Sequence, residues 1–199
     1  LDEAYWQVRT FQPGAQAVQV VADDDTGTTL ADARQVHEAG GFVAEVRHDA
    51  ETAPTYRLRV NFPSATVEIE DPYRFGPVLG DQDLYYLGEG THLGMYHRMG
   101  AHPATMDGVP GTTFAVWAPG ASRVSVVGDF NQWDGRRHPM RLRHGAGIWE
   151  MFIPGLGPGT LYKYEIKDRE GRLLPLKADP IAFQAEQPPR TASVVHGLP

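Results

Sequence analysis

A tryptophan set among amide and acidic residues follows an alternating apolar run in the stretch "VSVVGDFNQWDG", Val124 to Gly135. The face of Trp133 can pack on the C–H face of a pyranose, while Asn131 and Gln132 can hydrogen-bond hydroxyls at the edge of the ring. Lys163, in "LYKYEI", adds a long donor if its side chain points to the same surface. The alternative is that Trp133 covers an apolar edge of the domain and Asn131 caps a turn. The loop alone favours neither interpretation.

Residues for catalysis or metal binding lack the arrangement that such chemistry needs. No serine lies in a nucleophile elbow, and the chain contains no cysteine. His92, His97 and His102 are spaced for neither one helix face nor a common zinc site. The acidic runs at 23–25 and 168–171 are typical of solvated turns. The sequence therefore predicts no catalytic residues, no metal and no cofactor.

Composition narrows the class of protein and its partners. The chain has 199 residues, 41% of them hydrophobic, and a net charge of -7 with the acidic excess in its first 80 residues. Nucleic acid binding uses clustered Lys and Arg, and the one basic run, 136–144, is predicted to be a solvated hairpin flank. No apolar stretch is long enough to span a bilayer. We expect a cytoplasmic protein without nucleic acid or membrane partners, in agreement with the absence of cysteine.

Short β-type runs separated by turn residues dominate the second half. They are "TFAVW", "RVSVVG", "GIWEMFI" and "LYKYEI", with Gly, Pro, Asn and Asp between them. Several short strands at this spacing predict a β-sandwich of immunoglobulin-like shape.

The first half repeats the second. "FQPGAQAVQVVAD" (Phe11 to Asp23) aligns without gaps on "WAPGASRVSVVGD" (Trp117 to Asp129), and two later blocks follow in the same order. We therefore predict an all-β protein of two tandem immunoglobulin-like sandwiches, over 1–75 and 111–199. The connector, 76–110, should contain a short helix capped by Asp81. Trp117 and Trp149 fall opposite Phe11 and Phe42, so we expect both tryptophans in the core.

The two copies differ most at the tryptophan loop. Where the second copy has "GDFNQWDG", the first has "ADDDTGTT". The scaffold is retained while the loop is replaced, which indicates that the loop serves function rather than folding.

The sequence also resembles a known family. "GTTFAVWAPGASRVSVVGDFNQWDGRRHPMRLR", "GIWEMFIPG" and "LKADPIAF", preceded by "DPYRFGP" and "LGEGTH", are similar to the N-terminal portion of bacterial 1,4-alpha-glucan (glycogen) branching enzymes. The likeness is strong from Glu70 onward and weaker over 6–60. It implies that the second module is a glycogen- or starch-associated carbohydrate-binding module and that the first is a shorter β module of similar shape.

The resemblance implies partners and a role. The family's catalytic barrel follows these modules and needs about 250 residues, so we expect this chain to be inactive alone. The expected partners are alpha-1,4-glucan or glycogen and that barrel. Trp133 and Lys163 match sugar-contacting positions of related glycogen-sensing modules, whereas Leu173 and Leu174 stand where some of those modules have a second tryptophan. The alternatives are a structural domain pair that binds no sugar, or the equivalent region of a debranching enzyme or glycogen sensor.

Overall fold

The computed structural model describes residues 5–24, 26–47 and 52–197, and most of their regular structure is β-strand. The chain divides into two compact units, Leu1–Arg74 and Phe75–Pro199. The predicted fold class, all-β with tandem sandwich modules, is confirmed. The exact module boundaries stay a prediction, and residues 1–4 and 198–199 at their outer ends lie outside the described residues.

The first unit is an antiparallel β structure. Its strands are β1 (Tyr5–Phe11), β2 (Ala17–Ala22), β3 (Thr29–His37), β4 (Gly41–Arg47), β5 (Tyr56–Asn61) and β6 (Thr66–Glu70). They are hydrogen-bonded in the order β1-β4-β3-β2-β5-β6. β3 pairs with β2 as far as Ala33 and with β4 from Arg34 onward, so this one strand links the two halves of the sheet. Buried alternate residues such as Val20, Phe42 and Leu58 form the core.

The second unit is a sandwich of two four-stranded sheets. Its elements are α1 (Asp81–Glu89), β7 (Gly100–Met106), β8 (Val109–Trp117), β9 (Ala121–Val127), β10 (Arg141–Arg143), β11 (Ile148–Pro154), β12 (Leu161–Asp168), β13 (Gln184–Ala185) and β14 (Ser193–Val194). The sheets have the orders β10-β11-β8-β7 and β13-β14-β12-β9. Alternate residues of both sheets, including Phe114, Val126 and Tyr164, meet in one apolar core.

The predicted short helix is present as α1, but Asp81 does not cap it. Gly80 occupies the cap position and has no side chain with which to hydrogen-bond the free N–H groups of the first turn. Asp81 instead lies in the first turn, where a negative charge interacts favourably with the helix dipole. At the other end, Gly90 adopts a φ of 72°, the left-handed conformation that commonly ends helices.

The segment around α1 belongs to the second unit. Leu79 and Met99 pack with Ala115 and Ile148 on the outer face of the β8–β11 pair. The fully buried Glu150 accepts hydrogen bonds from the backbone N–H groups of residues 78 and 79, at 3.2 and 2.8 Å. This carboxylate fastens the segment that precedes α1 to the sheet.

The two tryptophans predicted to be core residues behave differently. Trp149 is buried, and its indole N–H donates to the carbonyl of Ala118 at 3.0 Å. Trp117 is 65% exposed, so the prediction was wrong for this residue. The reason is that Trp117 is the last residue of β8, on the outer face of its sheet, and not in the core between the sheets.

Candidate functional site

The loop that follows β9 contains two consecutive residues with unfavourable backbone angles. After a short 3-10 turn at Asp129–Asn131, Gln132 and Trp133 have φ values of 59° and 58°. Such angles cost of order 1–3 kcal/mol for each residue that carries a side chain. The Trp133 N–H donates to the carbonyl of Gly128 at 2.9 Å, which closes the turn. Because local strain collects at ligand-binding positions, these angles mark the loop as a candidate functional site.

Asn131 holds the loop from inside. Its side chain is buried, and its amide oxygen accepts the Gly128 N–H at 3.0 Å. Its Nδ2 donates to the Val126 carbonyl and to Nδ1 of His138, both at 2.8 Å. Burial, with a smaller effect of the Arg137 charge, lowers the pKa of His138 to about 4, so its ring is neutral at neutral pH and can accept this bond. These contacts occupy the Asn131 amide, so its place here is that of a positioning residue.

Trp133 and Gln132 remain accessible at the tip of the loop. The Trp133 side chain is half-buried, and its indole N–H donates to Oδ1 of Asp129 at 2.7 Å. Gln132 is exposed. This hydrogen bond to Asp129 restricts rotation of the indole, so less conformational entropy is lost when a ligand packs on it.

Strand β12 supports the loop from the side. Lys163 lies opposite Val127, the last residue of β9, at the base of the loop. Two residues further on, Glu165 fills the space beside Gly135, where an added Cβ would overlap Oε1 of Glu165. Glu165 is itself held by an ion pair with Arg123. A side chain at position 135 would therefore displace either the Glu165 carboxylate or the loop.

Lys163 differs from Arg136, a cation in the loop, in the kind of group that it contacts. Arg136 donates to the Asp134 carboxylate, which lowers the pKa of Asp134. Lys163 Nζ donates to the neutral hydroxyl of Thr191 at 2.7 Å and, among the residues that the structure describes, pairs with no carboxylate. Its ammonium group has three donors, so two of them remain for a ligand.

Thr191 is the residue of this site that sequence reasoning missed. It is exposed, and it reaches Lys163 because β14 pairs with β12, with Ser193 opposite Tyr162. No local pattern in the sequence signals this pairing, since β14 has only two residues. Leu173, which replaces a possible second tryptophan, is 60% exposed and forms a β-bridge with Lys167 on the same strand β12.

The described residues show neither a metal-binding cluster nor a membrane-crossing helix. No group of three or more His, Asp or Glu side chains among them is arranged to hold a metal ion. None of the helices formed by residues 5–24, 26–47 and 52–197 is long and apolar enough to cross a membrane. What the site offers is an aromatic ring with hydrogen-bonding groups beside it, an arrangement suited to a sugar.

Two family models match successive parts of the chain. Residues 1–73 match the N-terminal domain of the alpha-1,4-glucan branching enzyme GlgB. Residues 98–182, which include Trp133 and Lys163, match carbohydrate-binding module 48, the isoamylase N-terminal domain. The chain is thus similar to a branching-enzyme N-terminal domain over its first part and to a carbohydrate-binding module over its second, and the predicted resemblance is confirmed.

Curated relatives extend the match to nearly the whole chain. The 1,4-alpha-glucan branching enzyme GlgB of Rhodospirillum rubrum is 56% identical over 96% of this chain and 26% of the relative. That of Paramagnetospirillum magneticum is 58% identical over 96% of this chain and 25% of the relative. The chain corresponds to the N-terminal region of these enzymes and spans about a quarter of their length. A solved Klebsiella pneumoniae pullulanase superposes with a TM-score of only 0.41 at 17% identity, over 94% of this chain and 23% of that one.

Proposed function

We propose that the chain is the non-catalytic N-terminal region of a cytoplasmic 1,4-alpha-glucan branching enzyme and that its second unit binds alpha-glucan at Trp133. The observation that carries the proposal is the strained loop that presents Trp133 directly after β9, whose last residue, Val127, lies opposite Lys163, within the range that matches a carbohydrate-binding module. The catalytic part of such an enzyme, which makes alpha-1,6 branches in glycogen, would lie outside these 199 residues.

The chemistry of an alpha-glucan matches the groups at this site. One face of a glucose unit is lined with C–H bonds and packs on an indole, while hydroxyls project from its edge. The Lys163 ammonium, the Thr191 hydroxyl and the Gln132 amide supply donors and acceptors for those hydroxyls. Asn131 contributes indirectly because its buried amide holds the loop.

Binding at this site would act on the parent enzyme by raising local substrate concentration. A glucan chain held on the module stays near a catalytic domain that belongs to the same polypeptide. The encounter between the bound glucan and that domain then becomes intramolecular. The module itself needs no catalytic residue for this effect.

A second candidate function is docking on the catalytic barrel of the same polypeptide. It is favoured by large apolar side chains that α1 and the following segment leave exposed, among them Tyr86, Leu93 and Tyr96, with Leu93 at 96%. Exposed large apolar side chains are typical of an interface between domains or proteins when they lie together on the surface. Docking and sugar binding use different residues, so the two functions are compatible.

The test is calorimetric and fluorescence titration of the 199-residue chain with maltoheptaose and glycogen. We expect saturable binding by the unchanged chain and about a 5- to 150-fold weaker affinity for Trp133→Ala, because stacking on an indole is worth roughly 1–3 kcal/mol. Tyr96→Ala removes another exposed aromatic ring and serves as the matched control, with unchanged sugar affinity. Equal affinities for Trp133→Ala and the unchanged chain would refute this site. No binding by the unchanged chain would leave docking as the function.

A further inference from the structure

Trp117 is exposed on a sheet face that is otherwise covered. It shares the outer face of β8 with the buried Ala115 and stands opposite Ile148 of β11. Helix α1 covers Ala115 and Ile148 with Leu84 and Leu87, but it leaves Trp117 65% exposed. Among the described residues none accepts a hydrogen bond from the Trp117 indole N–H. A large aromatic ring and a free donor are therefore presented together on the surface.

The hairpin between β10 and β11 lies next to the Trp117 ring. Gly147 has a φ of 66°, and a Cβ on it would lie 2.7 Å from Pro119 and 3.5 Å from the Trp117 indole nitrogen. The backbone of the hairpin thus approaches Pro119 as closely as only glycine permits, and it comes within van der Waals distance of Trp117.

The same hairpin lines an open depression of about 360 Å³. Residues from α1 and the hairpin line it: Asp81, Leu84, Tyr85, Arg143, His144, Gly145 and Ala146. Its volume is at the lower end of the range for small-molecule sites, roughly 300–1,000 Å³. Tyr85 is 60% exposed, and the Asp81 carboxylate is exposed to solvent apart from a 3.4 Å contact with Arg143.

The mixture of groups indicates what kind of ligand would fit. Two exposed aromatic rings, Trp117 and Tyr85, flank a hairpin whose surroundings also offer a carboxylate on Asp81 and a ring nitrogen on His144. A purely apolar partner would leave these polar groups desolvated without hydrogen bonds, which is costly. A sugar polymer suits both the aromatic rings and the polar groups, since its own rings pack on aromatic faces and its hydroxyls hydrogen-bond to carboxylates and imidazoles.

We infer that Trp117, Tyr85 and the depression beside the hairpin form a second alpha-glucan contact on the second unit. The inference rests on the proposed function, because it takes the same ligand. Trp133 follows β9 in one sheet of the sandwich, whereas Trp117 ends β8 in the other. A long glucan chain that reaches both is bound more tightly than by either alone, while a short oligosaccharide occupies each independently.

The experiment is a titration followed through the indole N–H signals of the 15N-labelled chain. The chain has four tryptophans, and the signals are assigned with Trp117→Phe and Trp133→Phe. The buried Trp149 is the internal control. We expect maltoheptaose to shift the signals of Trp117 and Trp133 and to leave that of Trp149 unchanged. In Trp117→Ala and Tyr85→Ala, we expect apparent glycogen affinity to fall about tenfold or more, while the Trp133 signal still responds to maltoheptaose.

Each outcome separates the two proposals. A shift at Trp133 alone, with unchanged glycogen affinity of Trp117→Ala, would overturn the second contact and leave the proposed function standing. A shift at Trp117 alone would support the second contact and remove the site at Trp133. Shifts at neither residue, with no glycogen binding, would overturn both.

Discussion

The hydroxyl of Tyr162 donates a 2.7 Å hydrogen bond to Oδ2 of Asp179 in the interior of the second unit. The first unit contains the same pair, since the hydroxyl of Tyr56 donates to Oδ2 of Asp71, also at 2.7 Å. In both units a proline follows the aspartate directly. The Oδ1 of the aspartate accepts a hydrogen bond from the backbone N–H two residues further on, at Tyr73 or Ile181. The tandem repeat therefore extends to a buried polar contact that ties the chain after the last long strand to the core.

Loss of the Asp179 carboxylate should destabilise the second unit more than loss of Asp71 destabilises the first. Asp179 accepts from two buried hydroxyls, those of Tyr162 and Tyr164, whereas Asp71 accepts from Tyr56. A buried donor without a partner costs about 1–3 kcal/mol. We expect Asp179→Ala to lower the free energy of unfolding by about 3 kcal/mol or more and Asp71→Ala by roughly half of that. Urea unfolding followed by amide signals of each unit measures both; equal losses would contradict the prediction.

Titration of Asp71 should make the stability of the first unit depend on pH. Burial raises the pKa of Asp71 above its ordinary 3.8. The unfolded chain therefore releases this proton at lower pH than the folded chain. As a result, the free energy of unfolding falls as the pH rises above about 4. Asp71→Asn keeps an oxygen acceptor for Tyr56 and cannot ionise. We expect the stability of the unchanged protein to fall relative to this variant between pH 4 and the raised pKa.

The measurement is urea unfolding at a series of pH values, followed through the amide signals of β5. Other titrating groups affect both proteins alike and cancel in the difference. Parallel stability curves from pH 3 to 7 would show that Asp71 ionises equally easily in the folded and unfolded states.

A methyl group at Gly135 should impair sugar binding through the loop. An added Cβ at this position would overlap Oε1 of Glu165, so either the loop or the Glu165–Arg123 pair must move. We expect Gly135→Ala to cost about 1–3 kcal/mol in stability, as overpacking usually does, and to weaken maltoheptaose binding at Trp133.

Gly76→Ala is the matched control, because nothing lies within 4 Å of an added Cβ there, that glycine has no positive φ, and it lies in neither proposed glucan contact. Glu165→Ala combined with Gly135→Ala removes the clashing carboxylate and should restore part of the affinity. If Gly135→Ala bound maltoheptaose as well as the unchanged chain, the loop would not depend on this contact.

Local patterns in the sequence determined the architecture of each module. Strand period, turn residues and the internal repeat predict two tandem β-sandwiches, and the replaced loop draws attention to Trp133. These features could be predicted because period and turn chemistry act between residues close together in the chain.

Tertiary packing decided which side chains are exposed and can contact a ligand. The amide of Asn131 could hydrogen-bond the hydroxyls of a sugar. In the folded loop, however, this amide is buried and already hydrogen-bonded to Val126 and His138. Thr191 reaches Lys163 through a two-residue strand, and Trp117 is exposed because α1 covers only its neighbours. The sequence alone therefore determined the modules and the loop with Trp133, whereas the tertiary structure decided which faces stay uncovered. The physical reason is that burial depends on segments distant in sequence, whose contacts leave no periodic signal at the residue they cover or expose.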